Sequence, residues 1–336
     1  MKGKTEPIHP NPSPIIDFRV GHTTLGLFGL CFYVEENIGG AVNSFRISHL
    51  SDLHLTANDN VARSEPRLFG ALTGMNAHFR KIIASKAVQE SDLVLVTGDV
   101  TDRGDIGAWQ FFWDTVEKAN IKDRVRVVPG NHDVCCLGVR LPMKRKQYRE
   151  EDMAKVHKGL LMGGQPTQFP WAYSPDPRVV VFGLNSNNLG NFTAATNAMG
   201  DIGYYQLKDL ASMLHKHREV PVKIIAMHHS PNIPEEETAI KRGQRPFSQL
   251  DRIGHQVPES QRRMLNLLCV THKVRLLLHG HLHMSEDRRI TGVRYIGAAA
   301  STEPQHSPQG PILQFPTYQV SAKTHRVSCN SAVVPI

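Results

Sequence analysis

A chain of 336 residues, 40% hydrophobic and 21% charged, has the composition of an ordinary soluble globular protein and can bury one large core or two modest ones. Its formal charge of +8 suits an anionic substrate, yet many proteins of this size carry such an excess without using it, so charge excludes little. Five cysteines with no CxxC pair exclude a disulfide framework and fit a reducing, cytoplasmic setting; the one candidate targeting run, Leu25 to Val34, falls far short of the ~20 residues a membrane span needs.

Residues 1–43 hold Pro7, Pro10, Pro12, Pro14 and that apolar run, and read as an N-terminal extension ahead of a catalytic domain at 44–336. Glu35-Glu36 stands where a signal peptide would need small residues, so the run is expected to be a strand or an arm. Phe45 to Leu50 alternates as a strand and leads into Asp52-Leu53-His54. Helical spacing over Ala77 to Glu90 then gives a crossover to a strand at Leu93 to Val96, which ends in Gly98-Asp99. A helix over Ile106 to Ala119 precedes the β-branched run Val125 to Val128. Pro129-Gly130 stops that run and delivers Asn131-His132-Asp133 at what should be the mouth of a sheet.

Residues 134–177 break this rhythm as an insertion, with the basic run Lys144-Arg145-Lys146, a helix near Glu150 to Leu161 and the exit Gly163-Gly164; it reads as a lid or a solvated surface helix. The strand Val179 to Leu184 ends in Asn185, which could reach the cleft, and a helix over Tyr204 to His217 turns His215 and His217 toward solvent. Val222 to Met227 leads into His228-His229-Ser230-Pro231. After a polar stretch at 232–257 and a helix over Ser260 to Val270, Val274 to Leu278 leads into Gly280-His281-Leu282-His283. Short β segments at Val293 to Ile296, Ile312 to Phe315 and Tyr318 to Val320 complete a layered α/β pattern.

Five apolar strands thus each end in metal-competent side chains. A lone D-x-H or H-x-H is ordinarily a hydrogen-bonded turn; five in order, each directly after a hydrophobic run, are not. Open α/β sheets place ligands beyond the carboxyl ends of their strands. Asp52, His54, Asp99, Asn131, His228, His281 and His283 are too many donors for one ion. Imidazole, carboxylate and amide without thiolate suit Mn, Fe, Co or Zn. Two such ions ~3.5–4 Å apart clamp a phosphoryl group and activate a shared water, with Asp99 as the natural bridge. His49 and His279, inside apolar runs, read as packed core or supporting histidines.

Asp52-x-His54, Gly98-Asp99, Gly130-Asn131-His132-Asp133, His228-His229-x-Pro231 and Gly280-His281-x-His283 resemble, in order and spacing, the motifs of the calcineurin-like metallophosphoesterases over residues 45–300. The His-His-x-Pro and Gly-His-Leu-His forms are most similar to those of class III cyclic-nucleotide phosphodiesterases and of glycerophosphodiesterases of similar type, although Ser230 stands where a second proline is common in the cyclic-nucleotide enzymes. The resemblance implies an α/β fold built as a four-layer αββα sandwich of two mixed β-sheets flanked by helices. It implies two divalent metal ions, one held by Asp52, His54 and His283 and the other by Asn131, His228 and His281, with Asp99 between them. His132 would be the non-ligand histidine beside the phosphate, and Asp133 would orient it. The implied reaction is hydrolysis of a phosphodiester, a 3',5'-cyclic nucleotide foremost, by a hydroxide shared between the ions. A phosphomonoesterase, a pyrophosphatase and a nuclease would use the same site. The short basic run is not the extended groove that a nuclease needs. A non-catalytic scaffold on the same fold would be free to lose ligands, and every expected ligand type is present.

Overall fold

The computed structural model describes residues 44–59, 61, 73–134, 141–190, 195–233, 237, 240 and 247–336; the expected extension at 1–43 and the pair Cys135-Cys136 lie outside them. The first half of the chain runs β1 (Phe45–Leu50), α1 (Met75–Ala84), α2 (Lys86–Gln89), β2 (Leu93–Thr97), α3 (Ile106–Lys118), β3 (Val125–Val128), α4 (Asn131–Val134) and α5 (Arg145–Met162). The second half runs β4 (Trp171–Asp176), β5 (Val179–Gly183), α6 (Tyr204–Lys216), β6 (Val222–Ala226), α7 (Gln249–His255), α8 (Glu259–Thr271), β7 (Leu276–His279), β8 (Glu286–Ile290), β9 (Val293–Gly297), β10 (Gln305–Ser307), β11 (Gly310–Val320) and β12 (Val327–Pro335).

The strands form two mixed sheets of six. One has the order β10-β11-β1-β2-β3 with β12 on β11; the other has the order β4-β5-β6-β7-β9-β8. Within the first, β1, β2 and β3 are parallel and β11 runs antiparallel to β1. Within the second, β5, β6, β7 and β9 are parallel, with antiparallel β4 and β8 at the two edges. Parallel strands are buried on both faces and need hydrophobic runs rather than alternation, and β2, β5, β6 and β7 are buried at every position.

Alternate residues of those runs serve different layers, because successive side chains of a strand point to opposite faces. Val179 and Val181 meet Ile47, Leu95 and Ile224 between the sheets. Val180 and Phe182 pack outward on Leu207, Leu210 and Leu214 of α6 and Leu265 of α8. On the other side, Val94 and Val96 pack on Phe79 of α1 and on Trp109, Phe112 and Trp113 of α3. Each of these large side chains contributes roughly 1.5–3 kcal/mol through burial. The result is the expected four-layer αββα sandwich.

Helix α3 begins at Asp105, whose Oδ1 accepts the Gly107 N–H at 2.6 Å and so satisfies one of the helix's orphan donors. The expected helix over Ala77 to Glu90 is divided in two, because Ser85 takes an extended conformation with ψ 146°. Residues 145–162 of the expected lid insertion form α5, a helix built into the outer layer. Val156 and Leu160 are buried against α3, and the Gly159 carbonyl accepts the Trp113 Nε1–H at 2.8 Å. The two segments expected at 312–315 and 318–320 are one strand, β11. Its Pro316 is tolerated because pairing with β1 ends at Thr317 and pairing with β10 ends at Ile312, so only β12 borders it there. Among the described residues, no helix is long and apolar enough to cross a membrane.

Candidate metal centre

Register brings the strand ends together. Leu50 of β1 pairs with Val96 of β2, Val96 pairs with Val127 of β3, and in the other sheet Ala226 of β6 pairs with Leu278 of β7. The loops beyond these residues therefore leave from one edge of each sheet. They are tied across the sandwich: His228 Nδ1 donates to the Thr97 carbonyl at 2.8 Å, and the His281 N–H reaches Asp52 at 3.1 Å.

Asp52, His54, Asp99, His281 and His283 all have positive φ, between 47° and 73°. Left-handed backbone is costly for residues with a Cβ and persists where the surroundings over-determine it, commonly at functional sites. Glycine supports this crowding at two points. A Cβ on Gly130 would run into the backbone and carboxylate of Asp99, and one on Gly280 into Ser51 and the Asp52 carboxylate.

The seven expected donors converge. Asp52, His54 and His283 form one group, and Asp52, Asp99 and His228 form another. His54 Nε2 lies 3.2 Å from His283 Nε2, which is 3.4 Å from Asp52 Oδ1. His228 Nε2 lies 3.0 Å from Asn131 Oδ1 and 3.3 Å from Asp99 Oδ2, and His281 Nδ1 lies 3.0 Å from the same Asn131 oxygen. Asp99 Oδ2 is also 3.9 Å from His54 Nε2, so a single carboxylate oxygen stands between the two nests.

These contacts are between atoms of the same kind. With its Nδ1 proton committed to Thr97, neutral His228 turns a lone pair at Nε2 toward two oxygen acceptors. Such an arrangement of lone pairs is stable only around a cation, a proton or a metal ion, and imidazole, carboxylate and amide together suit a first-row divalent ion. The residues present therefore fit the metal that the sequence pattern implies.

Protonation without metal shows the same field. Burial opposes a charge on His228, but the Asp99 carboxylate, together with Asp52 and the Thr97 carbonyl, raises the pKa to about 9. Burial likewise opposes the charge on His283, and Asp52 and Glu303 raise it to about 9. Asp52 is held down to about 2 despite its burial, chiefly by His283. Asp99 is held well below the usual carboxylate range against the same burial, chiefly by His228. His281, buried beside His229 and His228, is pushed far below an ordinary imidazole.

His132 lies beside these donors and retains some exposure, its ring edge-on to His54 with centroids 4.6 Å apart. Its backbone N–H donates to Asp99 Oδ1 at 2.8 Å. The expected role of Asp133 is corrected. Its carboxylate accepts from the N–H groups of Val100, Thr101 and Gly130 and from the Thr101 hydroxyl, and so is spent on joining the loops after β2 and β3. The His132 ring is instead oriented by Asp102, whose carbonyl accepts the Nδ1 proton at 2.9 Å while its carboxylate stands 3.9 Å from that atom and 3.7 Å from His54 Nδ1. Sequence reasoning passed over Asp102, although its place three residues after Asp99 was a usable signal.

Of the other histidines, His49 and His279 are packed inside the fold and His215 is exposed, as expected, whereas His217 is half-buried with its ring edge-on to Phe182 at 5.6 Å between centroids. His49 is core, bonded to Tyr318 and Thr97, and burial lowers its pKa to about 3. His279 pairs with Glu286 inside the fold at 3.4 Å. His229 is buried with Nδ1 on the Ser186 hydroxyl at 2.9 Å. Asn185 does not join the donors; it accepts from Asn187 and lines a separate cavity of about 230 Å³ together with Arg149, Met153 and Phe169.

The profile of the calcineurin-like phosphoesterases matches residues 45–285. This chain belongs to that family. A probable cyclic nucleotide phosphodiesterase of Xenorhabdus bovienii is 30% identical over 91 residues, 26% of this chain and 34% of the relative, so the match spans about a third of that relative's length. Among solved structures, a dimetal phosphatase from Danio rerio is similar at TM-score 0.50 and 13% identity, covering 86% of this chain and 98% of the other. A purple acid phosphatase of yellow lupin is similar at TM-score 0.48 and 12% identity, over 86% of this chain and 53% of that one. Identity as low as that to the zebrafish protein speaks for the fold alone, and the fold agrees: two mixed sheets flanked by helices. The chain is thus a member of the calcineurin-like phosphoesterase family whose strand ends gather a donor set suited to metal.

Proposed function

We propose that this metallophosphoesterase hydrolyses phosphodiesters, with 3',5'-cyclic nucleotides as the leading substrate class, at a dinuclear centre. One ion would be held by Asp52, His54 and His283, the other by Asn131, His228 and His281, and Asp99 would be shared. The observation that carries the reading is the position of Asp99 Oδ2, 3.9 Å from His54 Nε2 and 3.3 Å from His228 Nε2. When bound, such a metal pair supplies a nucleophile at neutral pH and neutralises the non-bridging phosphate oxygens.

The protein's own side chains supply the rest. Fixed donors of opposite character, already oriented by Thr97 and by the Asp52 contact to His281, need little reorganisation on binding substrate. With Nδ1 of His132 committed to the Asp102 carbonyl, Nε2 is the atom that passes a proton to the departing oxygen. The diester preference rests on the His-His-x-Pro and Gly-His-Leu-His motif forms and on the similarity to the Xenorhabdus protein. The decisive experiment loads the purified protein with Mn or Fe and compares a phosphomonoester, a linear diester and a cyclic nucleotide at equal concentration. Turnover of the diesters above the monoester is expected; exclusive monoester turnover would reject the diester reading while leaving the metal centre intact.

A further inference from the structure

The five motif loops are joined by a sixth. The segment after β9, residues 298–303, lies beyond the family match, which ends at residue 285. It is fastened to the Asp52/His54 loop at three points. The Ser51 N–H donates to the Ser301 hydroxyl at 3.0 Å, the Ser301 N–H returns to the Ser51 carbonyl at 2.9 Å, and the Thr302 hydroxyl donates to the Leu53 carbonyl at 2.8 Å. Behind it, the His78 ring meets the Thr302 carbonyl at 2.8 Å, so α1 backs the segment as well. Ser301 and Thr302 are fully buried, and the side chain after them, Glu303, is three-quarters buried with Oε1 3.4 Å from His283 Nδ1.

We infer that Glu303 is a positioning residue that holds the Nδ1 proton of His283 and thereby turns His283 Nε2 toward Asp52 and His54, making the 298–303 loop part of the metal site. The chemistry is general. An imidazole presents a lone pair at one nitrogen only when the proton is kept on the other, and carboxylates behind ligating histidines fix both tautomer and ring angle. His228 has its equivalent in the Thr97 carbonyl. His283 lies on a loop with positive φ at both His281 and itself, so its ring direction is not set by a regular element. A carboxylate carried by a loop that is itself bonded to the Asp52/His54 loop keeps the three donors in one frame. Glu303 touches no reacting atom; its effect passes through His283.

The inference rests on the dinuclear reading, and the test separates the two. Mn(II) binding by wild type, Glu303→Ala and Glu303→Gln is measured by calorimetric titration and by metal analysis after desalting, with thermal melts of the metal-free proteins alongside. Wild type should bind two ions. Glu303→Ala should keep one at wild-type affinity and weaken the other about 10–100-fold, the usual cost of losing such a partner. Glu303→Gln should recover most of that loss, because the Gln carbonyl also accepts an imidazole N–H. All three metal-free proteins should still unfold in one cooperative transition, so that a loss of metal is not a loss of fold. Two ions of unchanged affinity in Glu303→Ala would overturn the positioning role, as would equal losses in Ala and Gln or a metal-free Glu303→Ala that no longer unfolds cooperatively. A wild type that binds fewer than two ions would reject the dinuclear reading itself.

Discussion

His54 and His283, 229 residues apart in the chain, bring their Nε2 atoms to within 3.2 Å of each other. Two imidazole lone pairs at that distance repel unless a cation lies between or beside them, and Asp52 Oδ1, 3.4 Å from His283, adds a negative charge to the same spot. The fold therefore spends stability on holding like atoms together, and the return comes on binding a positive ion.

The first prediction concerns proton and metal competition. In the metal-free protein His228 and His283 keep their protons up to a pKa of about 9, against 6.5 in an unstructured chain. A raised folded pKa contributes stability that is complete below 6.5 and is lost as pH rises through about 9. Metal-free protein should thus be less stable at pH 9 than at pH 6.5. Metal must displace these protons, so apparent affinity should rise with pH by about tenfold per unit for each proton released. Calorimetric titration at pH 7 in two buffers of different ionisation enthalpy checks this, and identical heats in both would contradict it.

A second prediction separates binding from chemistry. Asp99→Ala removes the oxygen that stands between the two donor groups, so bound metal and turnover should both disappear. His132→Ala should retain its metal and lose about 10²–10⁴ in kcat, the range for removing a general acid. Metal content and phosphodiesterase rate on both variants decide the matter; an active Asp99→Ala protein would refute the shared ligand.

A third concerns Asp133. Four buried donors converge on its carboxylate. Asp133→Ala should leave several of them without a partner and lower the stability of the metal-free protein by about 3 kcal/mol or more, at ~1–3 kcal/mol for each orphaned group. Urea denaturation of wild type and variant measures the difference. A stable variant with only a catalytic defect would restore Asp133 to the role first expected of it.

The fourth tests close approach. Gly130 has no room for a methyl group, because the Asp99 backbone and carboxylate occupy that space. Gly130→Ala should displace Asp99 and reduce metal binding at least as far as a ligand substitution does. Gly292→Ala is a control of a different kind: its positive φ of 87° carries strain, but nothing crowds the site of a Cβ, so it should cost stability and leave metal binding unchanged.

Much of this molecule was legible in the chain, for reasons that act over short distances. Strands β1 and β3 have the bounds read from their apolar runs, and Pro129-Gly130 ended the β3 run where its polar cluster begins. The seven donors were countable because each lies within five residues of a strand end. By contrast, the division of Val179 to Gly183 between two cores, the continuity of β11 through Pro316 and the pairing of β12 were not legible, since a run buried on both faces carries no alternation to read.

By itself, then, the sequence determined which residue types stand at the ends of which strands, since backbone propensity and turn chemistry are local. Tertiary structure alone decided which of them share a neighbourhood. The parallel register of β1, β2 and β3 and the crossing contacts from His228 and His281 set those distances. The same long-range packing gave the orientation of His132 to Asp102 rather than Asp133, and set Glu303 behind His283. No spacing rule reaches such partners, because the hydrogen bonds that select them form only after the two sheets have closed on each other.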